Sequence, residues 1–360
     1  MRHEGGTGQI APIEGKAQSP TTSSLKPERH SGLDGWRFIA AFAVILLHTA
    51  DSYHFDTLAW QEPARRYVFE TGAFVEEMCR FAVPFFFICS GYFLDRHRHR
   101  SWSHIVWQLF RRLGLIYLVW TSIYILAEAH RVEYLTEPTN WARWLLNGGP
   151  GFHLWFFPAL LYSSAVALFL SRRYAWTTCF VVTGAIYIIG VVLEAYLAML
   201  ISNPPAAVQT FARNACLAPL CLTIGLWLSA NGSPSRWTAW VLCFGGLALQ
   251  LTEALALHAA KVAAMASCDF LFGTVPYATG IFLIALATKN QSAFGRVIGP
   301  LGTFSLGIYL IHVLFLNAFS KVLPTETLPD RINLALVIFV CSIASVFALT
   351  RIRAIQPVIR

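Results

Sequence analysis

Ten stretches of this chain, each about 20 residues long, consist mainly of apolar side chains, and a helix needs about that length to cross the hydrocarbon core of a bilayer. Of the 360 residues, 56% are hydrophobic and 13% are charged, whereas a soluble domain carries about 25% charged residues. We therefore expect an all-α polytopic membrane protein with about ten transmembrane helices. The ten stretches are 34–52, 74–94, 110–129, 152–171, 175–197, 211–230, 237–258, 268–288, 302–320 and 333–350.

The positions of lysine and arginine predict how these spans are oriented. Basic residues are more frequent in cytoplasmic loops, and with the N-terminus inside, the cytoplasmic segments hold two thirds of the 27 Lys and Arg residues. Both termini are therefore predicted to be cytoplasmic. Residues 1–32 are polar and rich in Gly, Pro, Ser and Thr, which predicts a disordered tail. Residues 33–353 would form the transmembrane domain, and residues 354–360 a short second tail.

Composition also argues against several classes of function. The net charge of +8 comes from basic residues spread over several loops, so no nucleic-acid partner is expected. The eight cysteines lie in apolar segments and form no CxxC pair, which argues against a disulfide framework or a zinc site. No bound metal is expected. Ser90 lacks the GxSxG pattern of a hydrolase nucleophile.

The first span carries two ionisable residues, Arg37 and His48. Eleven helical positions turn the chain by about three full turns, so both side chains lie on one face, about 16 Å apart along the axis. In the predicted orientation Arg37 lies at the cytoplasmic surface and His48 lies towards the outer side. Asp34 is expected at the start of the helix, where its carboxylate can cap free backbone N–H groups.

Two interpretations of this pair remain open from the residues alone. Ionisable groups inside a membrane are candidates for function, and a neutral histidine can take a proton from a hydroxyl. In the structural interpretation, the Arg37 side chain extends to lipid phosphate and His48 hydrogen-bonds to a neighbouring helix.

Five stretches resemble motifs of the acyltransferase-3 family of membrane acyltransferases, in the order in which that family carries them. The first is similar to the family pattern LDGxRxxA…H, in which Arg and His have ten residues between them. One departure is that Arg111 and Arg112 are followed by Gly114 and Leu115 where many members carry a second arginine. The five stretches are LDGWRFIAAFAVILLH (33–48), RFAVPFFFICSGYFL (80–94), HLWFFPALL (153–161), ARNACLAPLCLTIGLWL (212–228) and SLGIYLIHVLFL (305–316).

The resemblance implies an activity and its substrates. Members move an acyl group, usually acetyl from cytoplasmic acetyl-CoA, to a sugar or a lipid-linked glycan. The motifs are most similar to those of bacterial surface-glycan O-acetyltransferases, which implies a multi-pass protein of the plasma (bacterial inner) membrane. Acyl-CoA would be a co-substrate, and no bound cofactor is expected. The other expected partners are membrane lipid and an envelope polysaccharide or its lipid-linked precursor, while the oligomeric state is left open.

The resemblance also implies roles for particular residues. His48 would be catalytic, either deprotonating the acceptor hydroxyl or carrying the acyl group itself. For Arg80, a buried ion pair with Glu76 is the structural alternative, and Trp155 has the alternative of anchoring the chain at the membrane interface. The expected donor-binding residues are Asp34, Arg37, Arg80, Arg111 and Arg112. The expected acceptor or site-lining residues are His153, Trp155, Arg213, Asn214, Tyr309 and His312.

Two other functions compete with an acyltransferase. Intramembrane His, Arg and Asp residues also line the substrate or proton paths of secondary transporters and exporters. The two halves of the chain show no clear repeat of motifs, although many transporter folds have one. A non-catalytic protein of envelope assembly is the third possibility.

Overall fold

The computed structural model describes residues 1, 30–50, 63–97, 100–127, 151–201, 205–260, 262 and 267–359. Most of the predicted N-terminal tail lies outside these residues. The described part consists of helices joined by short connections and contains no β-strand. The prediction of an all-α protein is therefore confirmed.

The helices of the described residues are numbered in chain order. These residues also contain three short 3₁₀ segments, Asp95–His97, Phe152–Trp155 and Gly299–Phe304, and a π-helical segment, Val192–Tyr196, which joins α6 to α7. The α-helices are α1 (Ser31–Ala50), α2 (Pro63–Cys79), α3 (Ala82–Leu94), α4 (Trp102–Ala127), α5 (Phe156–Arg173), α6 (Trp176–Val191), α7 (Leu197–Leu200), α8 (Ala206–Asn231), α9 (Arg236–Ala259), α10 (Thr274–Ala287), α11 (Ala293–Val297), α12 (Ser305–Phe319), α13 (Leu328–Leu349) and α14 (Gln356–Ile359).

Eight helical segments of the described chain are long and apolar enough to cross a membrane. They coincide with eight of the ten predicted spans, and they support a multi-pass membrane protein. The two remaining stretches, 74–94 and 268–288, are not single long helices. The total of ten spans and their orientation stay predictions. The eight segments are Ser31–Ala50, Trp102–Ala127, Phe152–Arg173, Trp176–Leu200, Ala207–Asn231, Arg236–Ala259, Gly299–Phe319 and Leu328–Leu349.

The stretch 74–94 is broken between α2 and α3, at Arg80 and Phe81. Pro84 explains the position of the break, because proline has no N–H to donate and its ring crowds the carbonyl four residues earlier, which here belongs to Arg80. The helical hydrogen bonds resume when the Phe85 N–H donates to the Phe81 carbonyl at 2.9 Å. The break places a charged side chain, Arg80, inside the bundle, where it is 4% exposed.

The stretch 268–288 begins with a non-helical segment, residues 268–273, that precedes α10. Backbone amides outside a helix need other acceptors where water is excluded. Glu194 accepts the N–H of Asp269 at 3.0 Å, and Glu253 accepts the N–H of Phe272 at 2.8 Å. These two glutamates match none of the five motifs, and the structure assigns them the role of holding this irregular backbone.

Close helix contact in the bundle depends on glycine at several crossings. Where α3 crosses α8, a Cβ atom added to Gly225 would lie 2.1 Å from the Ile88 carbonyl oxygen, and one added to Gly91 would lie 2.3 Å from the Leu222 carbonyl oxygen. Small residues allow membrane helices to approach closely and gain van der Waals contact. This crossing therefore has no room for a side chain at either position.

We expect Gly225→Ala to destabilise the protein by about 1–3 kcal/mol, because the helices must separate to admit the methyl group. Gly184→Ala on α6 is the matched control, since a Cβ there meets nothing within 4 Å. Thermal unfolding in detergent would measure both variants. Equal stability of the two variants would show that α3 and α8 can separate at little cost.

Candidate active site

Three histidine rings from distant parts of the chain meet inside the bundle. His48 comes from α1, His153 from the segment Phe152–Trp155, and His312 from α12. The rings of His48 and His312 are stacked, with centroids 5.5 Å apart and planes 13° apart. His153 meets His312 edge to face, with centroids 5.0 Å apart. Three residues that were selected from three separate motifs therefore form one cluster, called the histidine cluster below.

The histidine cluster is largely dry, and it is more open on one side. His153 is 1% exposed and His312 is fully buried. His48 is only partly buried, and it contacts the ring of Phe152, with centroids 4.9 Å apart. Phe152 itself is 46% exposed. A polar molecule therefore reaches the cluster most directly from the side of His48.

Hydrogen bonds fix the orientation and the tautomer of His312. Its Nδ1 lies 2.6 Å from the Tyr309 carbonyl oxygen, and because a carbonyl can only accept, Nδ1 must carry the hydrogen. In the neutral ring, Nε2 then carries the lone pair. Nε2 is buried and has no hydrogen-bond partner within the described part of the chain.

Two tyrosines hold the segments around the cluster. The Tyr309 hydroxyl donates to the His153 carbonyl oxygen, which ties α12 to the segment Phe152–Trp155. The Tyr124 hydroxyl donates to the Leu310 carbonyl oxygen at 2.8 Å, and its ring lies 5.1 Å from that of His153. No motif pointed to Tyr124, because it lies in an ordinary apolar run of α4.

A cavity of about 310 Å³ connects the arginine end of the site with Tyr309. Arg37 and Arg112 line it, together with Phe156 and Phe157 and other, mostly apolar, side chains of α3 and α4. Tyr309 belongs both to this cavity and to the surroundings of the histidines, since its ring lies 5.3 Å from that of His153. An elongated molecule with an anionic head and an apolar arm fits such a space.

Arg37 and Asp34 form an ion pair at the entrance of the cavity. The Arg37 Nη1 donates to the Asp34 Oδ1 at 3.1 Å, and the side chain of Arg37 is 30% exposed. The helix begins at Ser31 rather than at Asp34, which lies within its first turn. The Asp34 carboxylate meets the Arg37 guanidinium, so it orients a cation that stays partly accessible.

Arg111 and Arg112 are exposed on α4. Both line an open groove of about 490 Å³ together with Gln356 and Pro357 of α14. Arg112 also lines the cavity, so the groove and the cavity adjoin at this residue. Two residues of the segment expected as a short C-terminal tail thus line this groove, and the tail itself stays a prediction.

Arg80 is separate from both spaces. Its Nη2 donates to Glu76 at 2.8 Å and its Nε donates to Glu77 at 3.0 Å. The Gln250 side-chain amide donates to the same Glu77 carboxylate at 2.7 Å. Arg80 does not line the cavity, and these contacts are the structural pairing that the sequence left as the alternative.

Three of the residues expected to meet the acceptor, Trp155, Arg213 and Asn214, form a second cluster beside His153. The Arg213 guanidinium lies over the Trp155 ring, 5.2 Å from its centroid. It also donates to Asp269 at 3.1 Å and to Asn214 at 3.3 Å. Asp269 matched no motif, and only the structure shows that it pairs with Arg213.

A family model described as an acyltransferase domain, the acyltransferase-3 model, matches residues 30–351. The chain belongs to the acyltransferase-3 family. The match contains α1, which carries Arg37 and His48, and α12, which carries His312. The resemblance inferred from the five motifs is confirmed.

Two curated relatives carry other names. An amino-acid racemase of Enterococcus faecalis is 27% identical over 225 residues, which cover 59% of this chain and 29% of that protein. A serine/alanine racemase of Enterococcus gallinarum is 24% identical over 189 residues, covering 49% of this chain and 24% of that protein. The chain thus spans less than a third of the length of these relatives. No solved structure matches it significantly.

We expect Arg80→Met to destabilise this family member by about 3–5 kcal/mol, because it leaves two buried carboxylates without a cation. Replacing Glu76 by Gln in the same protein should recover part of the loss. The measurement is thermal unfolding in detergent, with Arg173→Met at an exposed position as the control. If Arg80→Met kept normal stability but lost affinity for acyl-CoA, the donor-binding prediction would stand instead.

Proposed function

We propose that this protein is an O-acyltransferase that moves an acyl group, usually acetyl, from cytoplasmic acyl-CoA to a hydroxyl of an envelope glycan or its lipid-linked precursor. The reaction would take place in the plasma (bacterial inner) membrane. The observation that carries the proposal is the cavity that leads from Arg37 and Arg112 to Tyr309 and adjoins the histidine cluster.

The chemistry of acyl-CoA suits each part of this space. Guanidinium groups bind phosphate well, often with two parallel hydrogen bonds, and Arg37, Arg111 and Arg112 lie at one end. The pantetheine arm is long, thin and weakly polar, and the cavity walls are mostly apolar. A donor held by its phosphates at the arginines would extend its thioester towards Tyr309 and the histidines.

The histidine cluster supplies the groups that acyl transfer needs. His48 either removes the proton of the acceptor hydroxyl or carries the acyl group in transit. In the first route, the acceptor oxygen bonds to the thioester carbon, the carbon–sulfur bond breaks, and the thiolate leaves and takes up the proton. The dry surroundings of His153 and His312 would keep water away from the activated acyl group.

The acceptor would enter on the side of His48. This side carries Phe152, and beside His153 lie Trp155 and Arg213, paired with Asp269. An aromatic face next to charged hydrogen-bonding groups suits a sugar, which presents both C–H faces and hydroxyls. This arrangement supports a polar acceptor with several hydroxyl groups.

We expect His48→Ala to lower acyl transfer by about a hundredfold or more, because the group that handles the proton is lost. Membranes that contain the protein would be supplied with labelled acetyl-CoA, and label on envelope glycan would be counted. Mass spectrometry should show that the glycan made in the presence of the protein is heavier, by one acetyl group, than the glycan made without it. His104→Ala, at an exposed position of α4, is the control. Near-normal transfer by correctly folded His48→Ala would remove His48 from catalysis, and movement of a substrate without covalent label would favour a transporter.

We expect Arg37→Ala to weaken acetyl-CoA binding by about tenfold to a hundredfold, the effect of losing a hydrogen bond to a charged group. Arg37→Lys should lie between this variant and the wild type, because lysine keeps the charge without the planar fork. Equilibrium binding of acetyl-CoA to the solubilised protein would measure all three. An unchanged dissociation constant in Arg37→Ala would exclude Arg37 from the donor site.

A further inference from the structure

One face of α12 leads from the cavity into the histidine cluster. Ser305 and Tyr309 of this helix both line the cavity. His312 follows Tyr309 by three residues, so it lies on nearly the same face, about 4.5 Å further along the axis. His312 does not itself line the cavity, but its ring lies 5.8 Å from that of Tyr309, measured between centroids. The Tyr309 side chain is therefore the contact between the cavity and His312.

The two stacked histidines face different sides of the site. His48 is partly exposed and contacts Phe152 on the side where the acceptor would enter. His312 is fully buried and lies next to Tyr309, which lines the cavity. Their positions assign the donor thioester to His312 and the acceptor hydroxyl to His48.

The Nε2 atom of His312 is prepared for attack on a carbonyl carbon. The bond from Nδ1 to the Tyr309 carbonyl leaves the lone pair on Nε2. A buried acceptor without a partner costs roughly 1–3 kcal/mol, and such an atom in a native protein calls for an explanation, for example a catalytic role. This lone pair has no hydrogen-bond partner within the described residues, and the same holds for both ring nitrogens of His153. Of these two histidines, only His312 has its tautomer fixed by a bond from Nδ1 to a carbonyl oxygen.

We propose that His312 Nε2 accepts the acyl group from the thioester, and that His48 then activates the acceptor for the second transfer. This inference rests on the proposed function and assigns its two half-reactions to two different histidines. It decides between the two routes that were open for His48, because the carrier of the acyl group becomes His312.

The two steps balance as follows. Nε2 bonds to the thioester carbonyl carbon, the carbon–sulfur bond breaks, and the thiolate leaves. The acyl-imidazolium keeps its Nδ1 hydrogen, and the Tyr309 carbonyl stabilises the positive charge through that hydrogen bond. His48 then removes the proton of the acceptor hydroxyl, whose oxygen bonds to the acyl carbon while the bond to Nε2 breaks. The released thiolate takes a proton from water, and the proton that His48 removed from the acceptor returns to water, which restores both neutral histidines.

Two variants separate the roles of the two ring nitrogens. His312→Asn retains an amide N–H near the position of Nδ1, which can donate to the Tyr309 carbonyl, but it has no atom equivalent to Nε2. His312→Gln places an amide near Nε2 that cannot carry an acyl group. His48→Gln and the exposed control His104→Asn complete the set.

The experiment mixes the purified full-length protein with radiolabelled acetyl-CoA in the absence of an acceptor. We expect a burst of about one free thiol per protein and covalently bound label, the signature of an acyl-enzyme. Mass spectrometry should locate the acyl group on the peptide that contains His312. Both His312 variants should lose the burst and the bound label. His48→Gln should retain the label but pass it to the acceptor about a hundredfold more slowly, and His104→Asn should behave as the wild type.

Several results would overturn this assignment. Label on the His48 peptide would make His48 the carrier, and a persisting burst in His312→Asn would exclude Nε2. Wild-type protein that transfers acyl groups without a burst or bound label would leave the proposed function standing and remove only this inference. Wild-type protein that neither releases thiol nor labels the envelope would remove the proposed function itself. Because the peptide assignment uses the wild type, it holds even if a His312 variant does not fold.

Discussion

The hydrocarbon core of a membrane offers no hydrogen-bond partners, and this constraint determines where polar groups can lie in the bundle. Each buried polar atom must find a partner within the protein or bear the cost of having none. Glu194 and Glu253 accordingly receive the backbone amides of the non-helical segment before α10, and Arg80 is matched by two glutamates at the break before α3. His312 Nε2 is one of the atoms for which the described fold supplies no partner, and its ring lies next to Tyr309, which lines the cavity.

The same need for internal hydrogen-bond partners explains how the histidine cluster can be held in an apolar interior. The histidine cluster is built from segments far apart in the chain and is held by bonds to backbone carbonyls, which do not depend on the titration of a neighbouring side chain. Tyr309 is central to this arrangement. Its hydroxyl donates to the His153 carbonyl oxygen, its carbonyl oxygen accepts from His312 Nδ1, and its side chain lines the cavity. A single residue thereby links the cavity to the histidine cluster.

The shared face of Arg37 and His48 follows from helical periodicity alone, and the structure places Arg37 at the cavity and His48 in the histidine cluster. Motif spacing selected His153 and His312 without showing that they touch. Motif spacing did not settle the role of Arg80, because an arginine suits both donor binding and a buried ion pair. No sequence feature pointed to Tyr124 or Asp269, since a tyrosine in an apolar run or an aspartate at a span boundary is common in any membrane protein.

The sequence by itself determined the class of fold, the family and the residues that are costly to bury, because apolar run length, motif spacing and charge are properties of a linear chain. Only the tertiary structure decided which of those residues meet. The Pro84 break places Arg80 among glutamates and apart from the cavity, and the crossing of α1 with α12 brings His48 against His312. Contacts between residues more than 250 positions apart depend on how helices cross, and helix crossing is set by the packing of all their side chains together.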